Sequence, residues 1–232
     1  MLFETVGAAS YVFRQHPIDY ALKMRICMRS LGLIAMTLCL TTGCSTMSGM
    51  SGMSGTADMP VCEGYSALAA SEYVLPFPKG KQYPVIQGNC AKNEYPWTHF
   101  GNLRYAYDFG MPIGSQIIAA RSGVAVLVRD NFTDNDHGKD QGNAIVLLHK
   151  DGTYALYAHL TQHGGLIKVG QSVKQGEVIA RSGNSGESPE AHLHFQVNSC
   201  GNFLDCPSLP VTFKNSQPGD LQLKQGLPYT AK

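Results

Sequence analysis

The chain has 232 residues, enough for one substantial domain or two small ones. Its formal net charge is +1 and only 15% of its residues are charged, so no global field directs it to nucleic acid or to acidic partners. Seven cysteines are unusual for a reducing cytosol, and 25 glycines suit many short strands joined by tight turns.

Residues 1–23 show no clear periodicity and include Pro17. Met24 to Arg29 is a small basic stretch, and Leu31 to Leu40 is apolar apart from Gly32 and Thr37. The apolar run is too short to span a bilayer as a mature helix. Thr41-Thr42-Gly43-Cys44 closes it. A basic start, a short apolar core, small residues and then Cys resemble a bacterial lipoprotein signal, although the Leu sits four residues before the Cys instead of three. The resemblance implies a lipid anchor at Cys44, and the lack of Asp after that Cys implies delivery to the outer membrane, facing the periplasm. An ordinary secretory signal is the plainer reading. From a signal this far inside the chain, the natural start is expected at Met24 or Met28. Residues 44–59 hold the lipidated Cys and a threefold Met-Ser-Gly repeat, which cannot build a core and reads as a tether.

Residues 60–96 read as an extended N-terminal segment. Leu75-Pro76-Phe77-Pro78 and Tyr83-Pro84-Val85 are punctuated by proline, so they are expected to wrap the domain without forming central strands. With Cys44 acylated, Cys62, Cys90, Cys200 and Cys206 are left to pair in an oxidising compartment. Pairing Cys62 with Cys90 and Cys200 with Cys206 closes the shorter loops. A zinc site from the four is the rival, but no Cys-x-x-Cys is present.

Residues 97–232 read as one mostly β domain. Tyr105 to Phe109 is a strand candidate that sets Asp108 among apolar and aromatic residues. Gln116 to Val128 reads as a strand pair around Ser122-Gly123, and Asp130 to Gln141 as a polar surface loop. Gly142 to His149 and Thr153 to Leu160 read as strands joined at Asp151-Gly152, a strong two-residue hairpin signal. That turn places His149 opposite Tyr154 and His159 opposite Ala144, with the two histidines on opposite faces. Val169 to Ile179 reads as a Gly-turned hairpin. Val211 to Phe213 and Leu221 to Leu223 read as closing extended segments. No helix of real length is expected in residues 97–198.

Ala191 to Val197 alternates strictly. His192, His194 and Gln196 share one face, and Leu193, Phe195 and Val197 share the other. The two imidazoles lie roughly 6–7 Å apart along the strand. They suit neighbours with different jobs, one binding a metal and one free beside it. Two surface histidines on a half-exposed strand are the bland alternative.

His99, Asp108, the Tyr157-Ala158-His159-Leu160 run, the Gly-turned segment and His192-Leu193-His194, in this order, resemble the M23 (LytM/lysostaphin-like) metallopeptidases over roughly residues 97–198. The resemblance implies a small antiparallel β-sheet or sandwich-like fold, one Zn2+ per chain and the peptide part of bacterial peptidoglycan as substrate. It makes His99, Asp108 and His194 the zinc ligands and His159 and His192 the unligated catalytic pair. Zinc accepts imidazole nitrogen and carboxylate oxygen, and this set leaves one formal positive charge to polarise a carbonyl. A neutral imidazole can orient or deprotonate water, and its partner can donate to the leaving amine. The family usually places the first His four residues before the Asp, whereas His99 and Asp108 are nine apart. His149 reads as structural, and His137 and His163 as solvated.

Two other classes compete. A non-catalytic relative would bind or activate other cell-wall enzymes, but all five site positions are occupied here. A lipoyl- or biotinyl-type carrier would need a Lys at a hairpin tip, commonly in Met-Lys-Met, and no such triplet occurs. The mass of the expressed precursor checks the assigned start: a chain beginning at Met24 or Met28 is expected, and one beginning at Met1 would overturn it.

Overall fold

The computed structural model describes residues 62–89, 99, 101–202 and 205–232. The expected signal, Cys44, the Met-Ser-Gly repeat, Cys90 and Trp97 lie outside the described residues. The described residues all fall within one compact unit, Thr56–Lys232. Two single-turn 3-10 helices, Leu68–Ala70 and Gly101–Leu103, are the helical pieces among them.

The rest is antiparallel β structure. In chain order the strands are β1 Gln82–Gln87, β2 Tyr107–Gly110, β3 Gln116–Ile118, β4 Gly123–Arg129, β5 Ala144–Leu148, β6 Tyr154–Ala158 and β7 Leu160–Gly165. They continue with β8 Ser172–Val173, β9 Val178–Ser182, β10 His192–Asn198, β11 Ser208–Leu209, β12 Ser216–Gln217 and β13 Pro228–Ala231. One sheet runs β12-β13-β1-β2-β10-β6-β5-β4-β8, with β11 added to β10; a second runs β3-β9-β7. The core draws on both sheets, with Ile117, Ile179 and Leu160 from the small one and Phe109, Phe195, Leu193, Ile145 and Tyr157 from the large one. Phe77, Phe109, Phe213, Phe195 and Tyr157 form a run of ring contacts 5.2–6.1 Å between centroids. Aromatic packing at these spacings favours edge and tilted geometries. The sandwich-like, mostly β expectation holds.

Four local expectations change. The β5–β6 register pairs Leu148 with Tyr154 and Ala144 with Ala158, one residue away from that expected. The turn holds three residues, because the His149 amide donates to Thr153 O and Gly152 takes φ +84°, the left-handed conformation a three-residue hairpin requires. In this register His149 and His159 would share a face if alternation continued. They do not share one, because His159 has φ +62° and leaves the face of Tyr157 and Ala155. His149 stays on the core side, where its ring meets Tyr73 edge-on at 5.6 Å.

Gln116 to Val128 does supply two strands, but β3 pairs with β9 and β4 with β5 and β8. The Val169 to Ile179 segment is likewise no hairpin, since β8 joins the large sheet and β9 the small one. In both cases a tight turn carries the chain between layers, and a turn signal cannot distinguish that from a return within one sheet. In the tail, Leu221 to Leu223 forms no strand, while Phe213 bridges to Tyr73 and β13 supplies the unforeseen closing strand.

The N-terminal segment is more central than its prolines suggest. β1 sits between β13 and β2 inside the large sheet. Pro84 lies opposite Pro228, and the ladder bond falls to the next residue, where the Val85 amide donates to Leu227 O. The rings therefore occupy a position where the ladder needs no donor. Leu75 and Phe77, just upstream, are fully buried. Cys200 is disulfide-bonded to Cys206, as the short-loop pairing expects. Cys62 is also disulfide-bonded, and its expected partner Cys90 lies outside the described residues. Phe77→Ala is expected to destabilise the protein by about 3–5 kcal/mol, read from urea unfolding; a change typical of a surface site would show that this segment is only draped on the domain.

Candidate metal centre

β2 and β10 run side by side with His194 opposite Asp108 and His192 opposite Gly110. Alternation sends Tyr107 and Phe109 into the core and turns Asp108 to the face of the two histidines. On the other flank of β10, His194 lies opposite Ala158, and Ala158 opposite Ala144. These small side chains leave room beside the imidazoles. His159, at the end of β6, turns into that room through its positive φ.

The structure brings together all five residues singled out in the sequence. Asp108 Oδ1 lies 2.9 Å from His194 Nδ1. Its Oδ2 lies 3.4 Å from His99 Nε2 and 3.6 Å from His192 Nε2. The His159 ring centroid is 4.6 Å from that of His192 and 5.9 Å from that of His194. His99 reaches the cluster although nine residues separate it from Asp108. His137 and His163 are exposed and His149 is buried away from the cluster, its Nδ1 bonded to Ser122 O.

Each imidazole has one nitrogen committed. His99 Nδ1 lies 3.0 Å from Gly88 O, His159 Nδ1 2.8 Å from Ser185 O, and His192 Nδ1 2.8 Å from Glu190 O. A carbonyl oxygen only accepts, so each of these three rings donates from Nδ1 and, when neutral, keeps its lone pair on Nε2. His194 is reversed: its Nε2 donates to Gln196 Oε1 at 2.8 Å, which leaves Nδ1 toward Asp108.

His99, Asp108 and His194 thus offer two imidazole nitrogens and a carboxylate oxygen, all within 4.8 Å of one another. Ligands at zinc distances of 2.0–2.2 Å in a tetrahedron stand about 3.4 Å apart. The donor types and spacing fit a zinc ion, and the carbonyl and amide partners behind them are the outer hydrogen bonds such ligands use. His159 and His192 keep their Nε2 atoms beside this set.

Burial pushes the Asp108 carboxyl up, but the hydrogen bond and charge of His194, and then of His99, outweigh it and hold Asp108 well below the usual carboxylate range. Burial pushes His194 down, and the Asp108 carboxylate more than reverses this, so His194 is raised. Proton and metal therefore compete for its Nδ1. His159 is pushed down to about 3, first by burial and then by the charges of His192 and His194.

One loop, residues 183–190, steers both free imidazoles. Its Ser185 carbonyl holds His159, and its Glu190 carbonyl and Ser188 Oγ hold His192. Ser185 Oγ in turn donates to Leu160 O and accepts from the Asn143 amide. A Cβ at Gly183 would collide with the Thr161 amide and Asp134 Oδ1, so only glycine allows this close packing. Sequence reading missed Gly88, Ser185 and Ser188, because their roles rest on backbone carbonyls and loop geometry. Gln196 was visible as the third member of the alternating face, but with no role.

Fold and site together define a class: an antiparallel β protein with a His-Asp-His cluster that could hold a metal ion and two further imidazoles beside it. Residues 102–206 match the model of Peptidase family M23, a stretch that includes Asp108, His159, His192 and His194 and stops short of His99. Lysostaphin of Staphylococcus staphylolyticus is 40% identical over 111 residues, covering 47% of this chain and 22% of that protein. Peptidoglycan DD-endopeptidase ShyA of Vibrio cholerae is 31% identical over 111 residues, covering 48% of this chain and 24% of that protein. The chain thus spans less than a quarter of the length of either relative. A solved catalytic domain of lysostaphin from Staphylococcus simulans is 28% identical, with a TM-score of 0.39 over 55% of this chain and 87% of that one.

His159 binds a proton less readily in the fold than an ordinary imidazole does. The unfolded chain, with an ordinary imidazole near 6.5, binds the proton more tightly than the fold does. His159 therefore contributes a loss of stability as pH falls from about 6.5 toward 3, and none above that window. In the metal-free protein, NMR titration of His159 is expected to show no protonation between pH 5 and pH 8; a midpoint near 6.5 would contradict the buried, charge-opposed environment.

Proposed function

We propose that this protein is a zinc-dependent endopeptidase that hydrolyses peptide bonds of bacterial peptidoglycan. It is exported, held in the outer membrane by lipid on Cys44 and faces the periplasm. The observation that carries the reading is the convergence of His99 Nε2, the Asp108 carboxylate and His194 Nδ1, with the Nε2 atoms of His159 and His192 left free beside them. The M23 match and the relatives named lysostaphin and peptidoglycan DD-endopeptidase supply the substrate class. Among the described residues, no structural observation favours the non-catalytic alternative.

His99, Asp108 and His194 would hold the ion, which when bound would supply a Lewis acid for the scissile carbonyl and lower the pKa of water. The protein's own groups do the rest. Asp108 stays ionised in its buried place because two imidazoles face it. His192 Nε2 lies 3.6 Å from Asp108 Oδ2, beside the candidate ligand set. It is the residue suited to accept a proton from the attacking water and return it to the leaving amine. His159 resists protonation and acts by orienting, its Nε2 accepting a hydrogen bond. The Ser185 and Glu190 carbonyls keep both rings in the tautomer that presents Nε2.

Mass spectrometry of muropeptides released from purified peptidoglycan tests the reading. Release of cleaved peptides is expected without a chelator and not with one. His194→Ala is expected to lose both bound zinc and cleavage. His192→Ala is expected to keep zinc and lose about 10²–10⁴-fold in rate. Unchanged cleavage by metal-free His194→Ala would sink the proposal.

A further inference from the structure

β10 carries polar side chains on the site face beyond its two histidines. Gln196 and Asn198 continue the alternation, and both are fully buried. Three hydrogen bonds run down this face. His194 Nε2 donates to Gln196 Oε1 at 2.8 Å, Gln196 Nε2 donates to Asn198 Oδ1 at 2.8 Å, and Asn198 Nδ2 donates to Cys206 O at 3.0 Å. The direction of the chain is set from its far end. A backbone carbonyl cannot donate, so Asn198 must turn its NH2 to Cys206 and its oxygen to Gln196. Gln196 must then donate to Asn198 and turn its own oxygen to His194. An amide oxygen only accepts, so His194 must carry its proton on Nε2 and present Nδ1 to Asp108.

The anchor of this chain is well held. Cys206 is disulfide-bonded to Cys200, and its amide donates to Asn202 O at 2.9 Å. β11 pairs with β10 at Asn198 and Val197. Burial supplies the energetic reason for order: a reversed amide anywhere in the row would leave buried donors or acceptors facing their own kind.

We infer that Gln196 and Asn198 are positioning residues for the metal, with the Cys206 carbonyl dictating through them which nitrogen of His194 faces the ion. Gln196 acts on His194 directly, and Asn198 acts only through Gln196. The inference rests on the zinc reading of the site and adds the groups that set its ligand geometry.

Zinc dissociation constants, measured by competition with a chromophoric chelator on the purified protein, test it. Gln196→Met removes the accepting oxygen at nearly constant volume and is expected to weaken zinc about 10–100-fold. Asn198→Leu is expected to weaken zinc severalfold in the otherwise native protein and by less than about twofold on the Gln196→Met background, because the shared path is already cut. A merely structural role would let the two effects multiply, and that result overturns the inference. So does a Gln196→Met protein that binds zinc within about threefold of the native one. Should Gln196→Met not fold by circular dichroism, Gln196→Glu carries the test, since its carboxylate still accepts from His194 Nε2. It is expected to hold zinc at least tenfold more tightly than Gln196→Ala, and equal affinities would overturn the inference. Native protein that takes up no zinc would instead count against the proposed function itself.

Discussion

The site depends on one cross-strand pair, Asp108 opposite His194 on β2 and β10. Directly opposed residues on adjacent strands have Cβ atoms about 4.5–5.5 Å apart, close enough for both side chains to reach one ion. A slip of one residue would turn Asp108 into the apolar layer and bury an unpaired carboxylate. What prevents the slip is the other face of the same strands. Tyr107, Phe109, Leu193 and Phe195 are fully buried in the core, and their packing locks the register that the polar face needs. The core and the candidate metal centre are two faces of one constraint.

A second layer of control lies in the backbone. The carbonyls of Gly88, Ser185 and Glu190 each accept a hydrogen bond from Nδ1 of one imidazole, and the carbonyl of Cys206 controls the fourth through two amides. They come from the end of β1, from the loop before β10 and from the loop after it. This gives the N-terminal segment a part in the site that its extended, proline-broken sequence conceals. It threads through the large sheet as β1 and ends at the carbonyl that orients His99. The positive φ of His159 belongs to the same design. Without it the ring would follow Tyr157 into the core, and the pair of free imidazoles would not exist.

Asp108 and the histidines also show why the site is built as a group. Taken alone, burial would neutralise the carboxylate; next to His194 and His99 it stays ionised. The same burial, with like charges for neighbours, keeps His159 neutral. Position within a few ångströms thus separates the carboxylate, the raised imidazole and the depressed one into different electrostatic roles.

By itself the sequence determined what alternation and short motifs encode: β strands instead of helices, a polar face with His192 and His194, an Asp set among aromatics, and a cysteine pair closing a short loop. These are local, and side-chain direction along a strand is a matter of period two. Only the tertiary structure decided which strands pair, that β3 and β4 part into different sheets, that β1 lies inside one, and that the β5–β6 turn holds three residues. It also decided that His159 turns toward His192 and His194 and that Gln196 and Asn198 stand behind His194. Those outcomes depend on contacts between residues far apart in the chain and on a single left-handed residue, and neither leaves a periodic trace in the amino-acid order.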